Sequence, residues 1–225
     1  MIIAIDGPAA SGKSSTAKAV AEEVGFMYLD TGAMYRAVTL AILKKNISLT
    51  NENALETFLT SIKLNILYTG KLLMIELNQV DVTKHIRNSK VTAKVSEVSA
   101  LPVVRRAMVK YQRKLVFGKD YIVEGRDIGT VVFPNADLKF YMIADSSIRA
   151  ERRKKDLLTL GKNKDISKLE TEIKNRDRKD STRVHSPLSK AEDSIIIDTS
   201  HLDFHKQVNM IVEKIKTLQK GKHNG

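Results

Sequence analysis

The chain has no cysteine and no tryptophan, only 4 prolines, and aromatic residues at just 5% of 225. Without thiols, neither disulfides nor thiolate nucleophiles and ligands can enter its chemistry. Aromatics this sparse, and not interleaved with basic residues, argue against a stacking platform for single-stranded nucleic acid. Long apolar runs are also missing. The first, Met1–Ile5, is cut off by Asp6, so neither a secretory leader nor a membrane span is expected, and a cytoplasmic location follows as the expectation. Acidic residues are the scarcer charge, 26 against 38 Lys and Arg, leaving a net charge of +12. That balance points to polyanionic partners, either nucleic acid or nucleotide phosphates. The length suits one α/β unit with insertions, and 42% hydrophobic residues suffice for a substantial core.

What is present is most specific near the N-terminus. Gly7-Pro8-Ala9-Ala10-Ser11-Gly12-Lys13-Ser14 matches G-x-x-x-x-G-K-[ST], followed by Ser15. An apolar run precedes it and a helical pattern ending at Gly25 follows, which is the strand–loop–helix context of a phosphate-binding loop. Backbone N–H groups of such a loop surround phosphate oxygens at a helix N-terminus. Lys13 is placed to reach the β- and γ-phosphates, and Ser14 to offer its hydroxyl to Mg²⁺.

Strand-like runs recur at Ile2–Ile5, Met27–Leu29, Tyr121–Val123, Leu138–Ile143 and Ser194–Ile197, with helical patterns between them. The expected fold is α/β: a parallel sheet flanked by helices on both faces. A closing helix carries Phe204, Val208, Ile211, Val212, Ile215 and Leu218 on one stripe, read as core. The tail Lys220–Gly225 is read as frayed and solvated. Two regions break the alternation. Ile62–Val82 reads as a hairpin turning at Thr69-Gly70, with a short third strand after Asn78. The polar stretch Arg149–Ser189 reads as two charged helices joined around Leu160–Lys164, either a solvated surface or a lid over the phosphate site.

Three clusters accompany the loop. Asp30–Arg36 and Glu124–Thr130 each follow a strand, at the edge where open α/β sheets bind ligands. Arg176–Leu188 forms the third; if helical, Arg176 and Arg183 share a face with Asp180 between them. Arg149, Arg152 and Arg153 are likewise spaced to share a face. Singly, each arginine is an ordinary surface charge; together they suit a phosphate clamp, because the guanidinium fork holds phosphate oxygens bidentately. His201 and His205, four apart, read as surface residues because no third metal ligand accompanies them. Pro8 and Pro102 read as turn and helix-start residues.

On these residues the chain resembles the bacterial cytidylate kinase family over nearly its whole length. The resemblance rests on Gly7–Ser15, Asp30–Arg36, Ser96 with Leu101-Pro102-x-x-Arg105, Glu124–Gly129 with Val131–Pro134, Arg176–Leu188, and the small β insertion. Glu124 stands where some members carry Asp. The resemblance implies a single P-loop kinase unit with its core in 1–35, 84–150 and 190–225, a monophosphate-binding region in 36–83 and a helical lid in 151–189. It implies γ-phosphoryl transfer from ATP, with Mg²⁺, to CMP or dCMP. The acceptor is an anionic phosphate oxygen, so no general base is required, and catalysis rests on in-line positioning and charge neutralisation.

By the same resemblance, Gly7–Ser15 hold ATP, with Ser14 at the metal. Arg36, Arg126 and Arg183 hold the acceptor phosphate, and Arg152 and Arg153 meet the developing charge. Asp127 accepts from the cytosine amino group, helped by Ser96 and Arg105, while Asp180 and Arg176 face the pentose. Thr31, Tyr35 and Glu124 complete the substrate set. No nucleic-acid partner is implied, and a monomer is the default. Three alternatives stand beside this reading. A kinase for another monophosphate or for shikimate fits the β insertion and Glu124–Asp127 less well. An RNA-binding P-loop GTPase would need an N-K-x-D box, yet the nearest match is Asn163-Lys164-Asp165-Ile166. A pure nucleic-acid-binding module lacks the aromatic–basic pattern.

Overall fold

In the computed structural model, residues 1–69, 72–159 and 161–223 are described. The β-branched run of β1 (Ile2–Asp6) enters the phosphate loop, and α1 (Lys13–Val24) leaves it, ending on Gly25 in a left-handed conformation at φ 73°. There follow β2 (Met27–Asp30), α2 (Thr31–Lys45), α3 (Glu52–Ser61), β3 (Leu64–Thr69), β4 (Leu72–Leu77) and β5 (Val80–Asp81). After a 3-10 turn at His85–Arg87 come α4 (Ser89–Ala100), α5 (Pro102–Val116) and β6 (Tyr121–Gly125). A π-helical turn, Ile128–Val132, leads to β7 (Leu138–Ile143), α6 (Ser146–Leu158), α7 (Ile166–Thr182), β8 (Ile195–Asp198) and α8 (Phe204–His223).

The chain divides into two compact units, Met1–Leu29 with Gly118–Gly225, and Asp30–Phe117. The five expected strands form a sheet in the order β2-β6-β1-β7-β8, and the β6–β1, β1–β7 and β7–β8 pairs are parallel. The α/β architecture is therefore the one observed. In the first unit, Ile3, Ile5, Ile122, Phe140, Met142 and Ile197 of the sheet pack against Ala17 and Val20 of α1 and Val208, Ile211, Val212 and Ile215 of α8. Burial of this order supplies the main favourable term in folding. Two readings of α8 need correction. Phe204 is 40% exposed and meets the His205 ring edge-on, rather than the core. The helix also runs on through Lys220 to His223, where a frayed tail was expected; Asn224 and Gly225 lie outside the described residues.

In the second unit, α2 is buried on nearly every side from Thr31 to Ile42. Around it pack α4, α5, β4 and the His85–Arg87 turn. The three-stranded antiparallel sheet β3-β4-β5 is the expected insertion. Its second turn sets Asn78 and Gln79 at φ 51° and 68°, the paired left-handed geometry of a tight hairpin. The expected turn at Thr69-Gly70 lies in part outside the described residues, as does Leu160 of the loop between α6 and α7. The boundaries differ from the sequence expectation. Residues 84–117 were expected in the core, but they pack with α2 and the insertion, because Val91, Val95, Val98, Val104 and Met108 give α4 and α5 apolar faces of their own.

Candidate active site

The loop after β1 has no room for side chains at its start. A Cβ on Gly7 (φ 153°) would lie 2.2 Å from the Met142 carbonyl oxygen. Ala10 at φ 60° and Gly12 at φ 89° bend the chain so that α1 starts at Lys13 with its first-turn N–H groups unpaired by the helix. Lys13, nearly buried, folds back to donate to the Pro8 carbonyl at 3.3 Å. The Ser11 hydroxyl is buried beneath the loop without a hydrogen-bond partner. A helix N-terminus, a folded-back ammonium and this orphaned hydroxyl fit the phosphates of a nucleotide.

Ser14 donates to Glu124 Oε2 at 2.8 Å, and Tyr28 donates to Glu124 Oε1. Glu124 is buried at the end of β6. A hydroxyl beside a carboxylate is a hard oxygen pair of the kind that fits Mg²⁺. No cluster of three or more His, Cys, Asp or Glu occurs among the described residues. His201 and His205 are exposed.

Beyond β6 lies an arginine–aspartate cluster. Arg126 Nε donates to Asp180 Oδ2 at 3.1 Å, and Arg176 Nε faces the same oxygen at 3.9 Å. Arg183 Nη2 lies 3.6 Å from Asp127 Oδ1, both side chains almost wholly buried. Burial and the facing Arg126 charge pull Arg176 down to about 10. One expectation changes. Arg183 is not on the helix: α7 ends at Thr182, and Arg183 caps it with extended dihedrals. The chain then turns through Ser186 at φ 52°, returning the Leu188 N–H to the Asp180 carbonyl at 2.8 Å. Asp180 faces the guanidinium groups of Arg126 and Arg176.

α6 and α7 form the expected helical hairpin, joined through Ala150, Leu169 and Ile173 with Ala10 of the phosphate loop packed against them. Arg149 is a brace. It is buried and donates to the Ala144 and Ala9 carbonyls at 2.9 and 3.2 Å, and it pairs with Asp177. Arg152 bonds the Thr199 hydroxyl at 3.0 Å and the Thr199 carbonyl. Thr199 in turn bonds the Ser11 carbonyl at 2.9 Å. Arg153 lies near enough to Arg176 to lower its basicity.

In the second unit, Asp30 caps α2 by accepting from the Ala33 N–H at 2.8 Å and pairs with Arg87 at 3.1 Å. Thr31 is buried as the first residue of α2. Arg36 donates to the Thr92 hydroxyl at 2.9 Å. The Arg105 guanidinium sits 5.5 Å from the centre of the Tyr35 ring and donates to the Ser99 carbonyl at 3.3 Å. Ser96 is half-buried on α4. Arg87, Thr92, Thr199 and Asp177 were missed from sequence. Their only signal was polarity, since each acquires its partner through a distant turn.

Fold and loop together define a P-loop α/β protein equipped to bind phosphoryl groups. The family model described as "Cytidylate kinase" matches residues 3–217. The chain is 43% identical to the cytidylate kinase of Carboxydothermus hydrogenoformans over 96% of its own length and 97% of that protein. It is 44% identical to that of Acholeplasma laidlawii over 96% of each. Among solved structures, an uncharacterized protein from Eubacterium ventriosum shares the fold with a TM-score of 0.54 at 13% identity, covering 96% of this chain and 98% of the other. This chain belongs to the cytidylate kinase family.

Proposed function

We propose that the protein transfers the γ-phosphoryl group of ATP to CMP or dCMP, giving ADP and the diphosphate. The observation that carries this reading is one cluster: a phosphate loop in the same unit as Arg126, Arg176 and Arg183, arranged around Asp127 and Asp180. Lys13 leaves the Pro8 carbonyl for the donor phosphates. Ser14 and Glu124 would hold Mg²⁺, whose charge would offset that of the phosphates. Arg126, Arg183 and Arg36 exchange their present acceptors for the acceptor phosphate. Arg152 and Arg153 meet charge developing on the transferred group, and a closed α6–α7 hairpin excludes water. The attacking oxygen is already anionic, so no side chain need remove a proton from it.

Asp127 reads the cytosine amino group, as acidic side chains do in DNA recognition. Ser96 and Arg105 supply the complementary contacts, and Asp180 with Arg176 faces the pentose. Thr31 and Tyr35 line the same acceptor set. Uracil offers a carbonyl where cytosine offers the amino group, so Asp127 disfavours it. The protein acts as a cytoplasmic monomer on small nucleotides and needs no nucleic-acid partner. Among the described residues no helix is long and apolar enough to cross a membrane.

A coupled ADP-release assay with ATP and Mg²⁺ tests the reading against CMP, dCMP, UMP, AMP and GMP. Turnover with CMP and dCMP and little with the purines is expected. No turnover with any monophosphate rejects it.

A further inference from the structure

Asp6 belongs to none of the roles assigned above. It ends β1, one residue before the phosphate loop, and is 4% exposed. Its Oδ1 accepts the Ile128 N–H at 2.9 Å, and its Oδ2 accepts the Gly129 N–H at 2.8 Å. These are the first two residues of the π-helical turn. Asp127 immediately precedes them, at φ −145° and ψ 27°, outside the regular regions. The fit against the turn is close. A Cβ on Gly129 would lie 3.1 Å from Lys139 Cδ and 3.5 Å from Asp6 Oδ2.

Two consecutive N–H groups call for two acceptor oxygens on one short side chain. A carboxylate provides them; an amide provides one and turns an N–H₂ toward the other donor. We propose that Asp6 is a positioning residue for base selection: its carboxylate fixes the backbone following Asp127 and so holds the Asp127 carboxylate where it discriminates cytosine from uracil. Through Gly7 the same residue ties that turn to the root of the phosphate loop. The proposal rests on the assignment of Asp127 to the cytosine amino group.

The charged and titratable neighbours are few. Arg126 and Asp127 come from the strand end beside β1, and Tyr141 from β7, in register with Asp6. Lys139 of β7 lays its stem on Gly129 while its ammonium pairs with Asp193 at 2.8 Å. Burial first, and the Asp127 charge, raise Asp6 to about 6 against the pull of the two N–H groups and Arg126. Protonation replaces one acceptor lone pair with a donor, so the grip on the turn weakens as pH falls through that value.

The experiment is kcat/KM for CMP and for UMP across pH 5.5–8 with saturating ATP and Mg²⁺, in the native protein, D6N and D127N. The acceptor phosphates of CMP and UMP share one ionisation, which cancels in the CMP:UMP ratio. The native ratio is expected to be constant above about pH 7 and to fall below about pH 6. D6N is expected to lower it about tenfold at pH 8 and to remove its pH dependence, an effect a purely structural role would not produce, since that would depress both substrates alike. A native ratio in D6N overturns the proposal if D127N lowers the ratio. If D127N also keeps the native ratio, the cytosine assignment fails and the proposal falls with it. Should D6N not fold, the native pH profile decides: a ratio flat from pH 5.5 to 8 overturns the proposal.

Discussion

One group of arginines in each unit keeps different company, with Arg152 on Thr199 in the first and Arg87 on Asp30 in the second standing outside the contrast. In the first, Arg126, Arg176 and Arg183 face the carboxylates of Asp180 and Asp127, and Arg149 pairs with Asp177. In the second, Arg36 rests on the Thr92 hydroxyl and Arg105 on a carbonyl and an aromatic ring. Overall charge follows the same division. Lysines and arginines outnumber aspartates and glutamates more than two to one in the second unit and nearly balance them in the first. A buried arginine facing a carboxylate is pre-oriented but must give up a strong partner when phosphate arrives.

The largest expected effect removes the ammonium of the phosphate loop. Lys13→Ala should lower kcat on the order of 10³-fold or more in the coupled assay. A smaller loss would shift the burden to the arginines. Next, Arg126→Ala strips Asp180 of its closest partner in a buried setting. It should cost about 3 kcal/mol of stability in denaturant titration, besides activity. Arg36→Ala removes the bond to the Thr92 hydroxyl and should cost about 1–2 kcal/mol, while raising the KM for CMP. Equal stability losses would erase the distinction between the units.

Asp127→Asn should lower the CMP:UMP ratio of kcat/KM about tenfold, within the range for one lost base contact. The smallest effect concerns Asp6. Its pKa rises on folding from 3.8 to about 6, so its contribution to stability is full below 3.8 and is lost as pH climbs through 6. Relative to D6N, the native protein should therefore gain about 1 kcal/mol on going from pH 7.5 to pH 5, read from denaturation midpoints. A loss instead of a gain would mean that the two N–H bonds outweigh burial.

Legibility in the sequence followed range. The strand–loop–helix from Ile2 to Gly25 was readable because its turns need local glycines and a short β-branched run. The hairpin insertion was readable from alternation and from Asn78. Arg183 was misplaced on α7 because the end of that helix is set by a return contact from Leu188, which no local propensity announces. Residues 84–117 were put in the core because helical patterns do not say which partner their apolar faces will meet.

The sequence by itself determined the phosphate loop, the five strands of the main sheet, the inserted hairpin and the family, since each is written in contiguous residues whose backbone needs are local. Only the tertiary structure decided which carboxylate meets which arginine, that Glu124 sits on Ser14, and that Asp6 holds a turn 122 residues away. Such pairings depend on strand order and on burial, which raises the cost of any unpaired charge and so selects partners that adjacency in the chain cannot name.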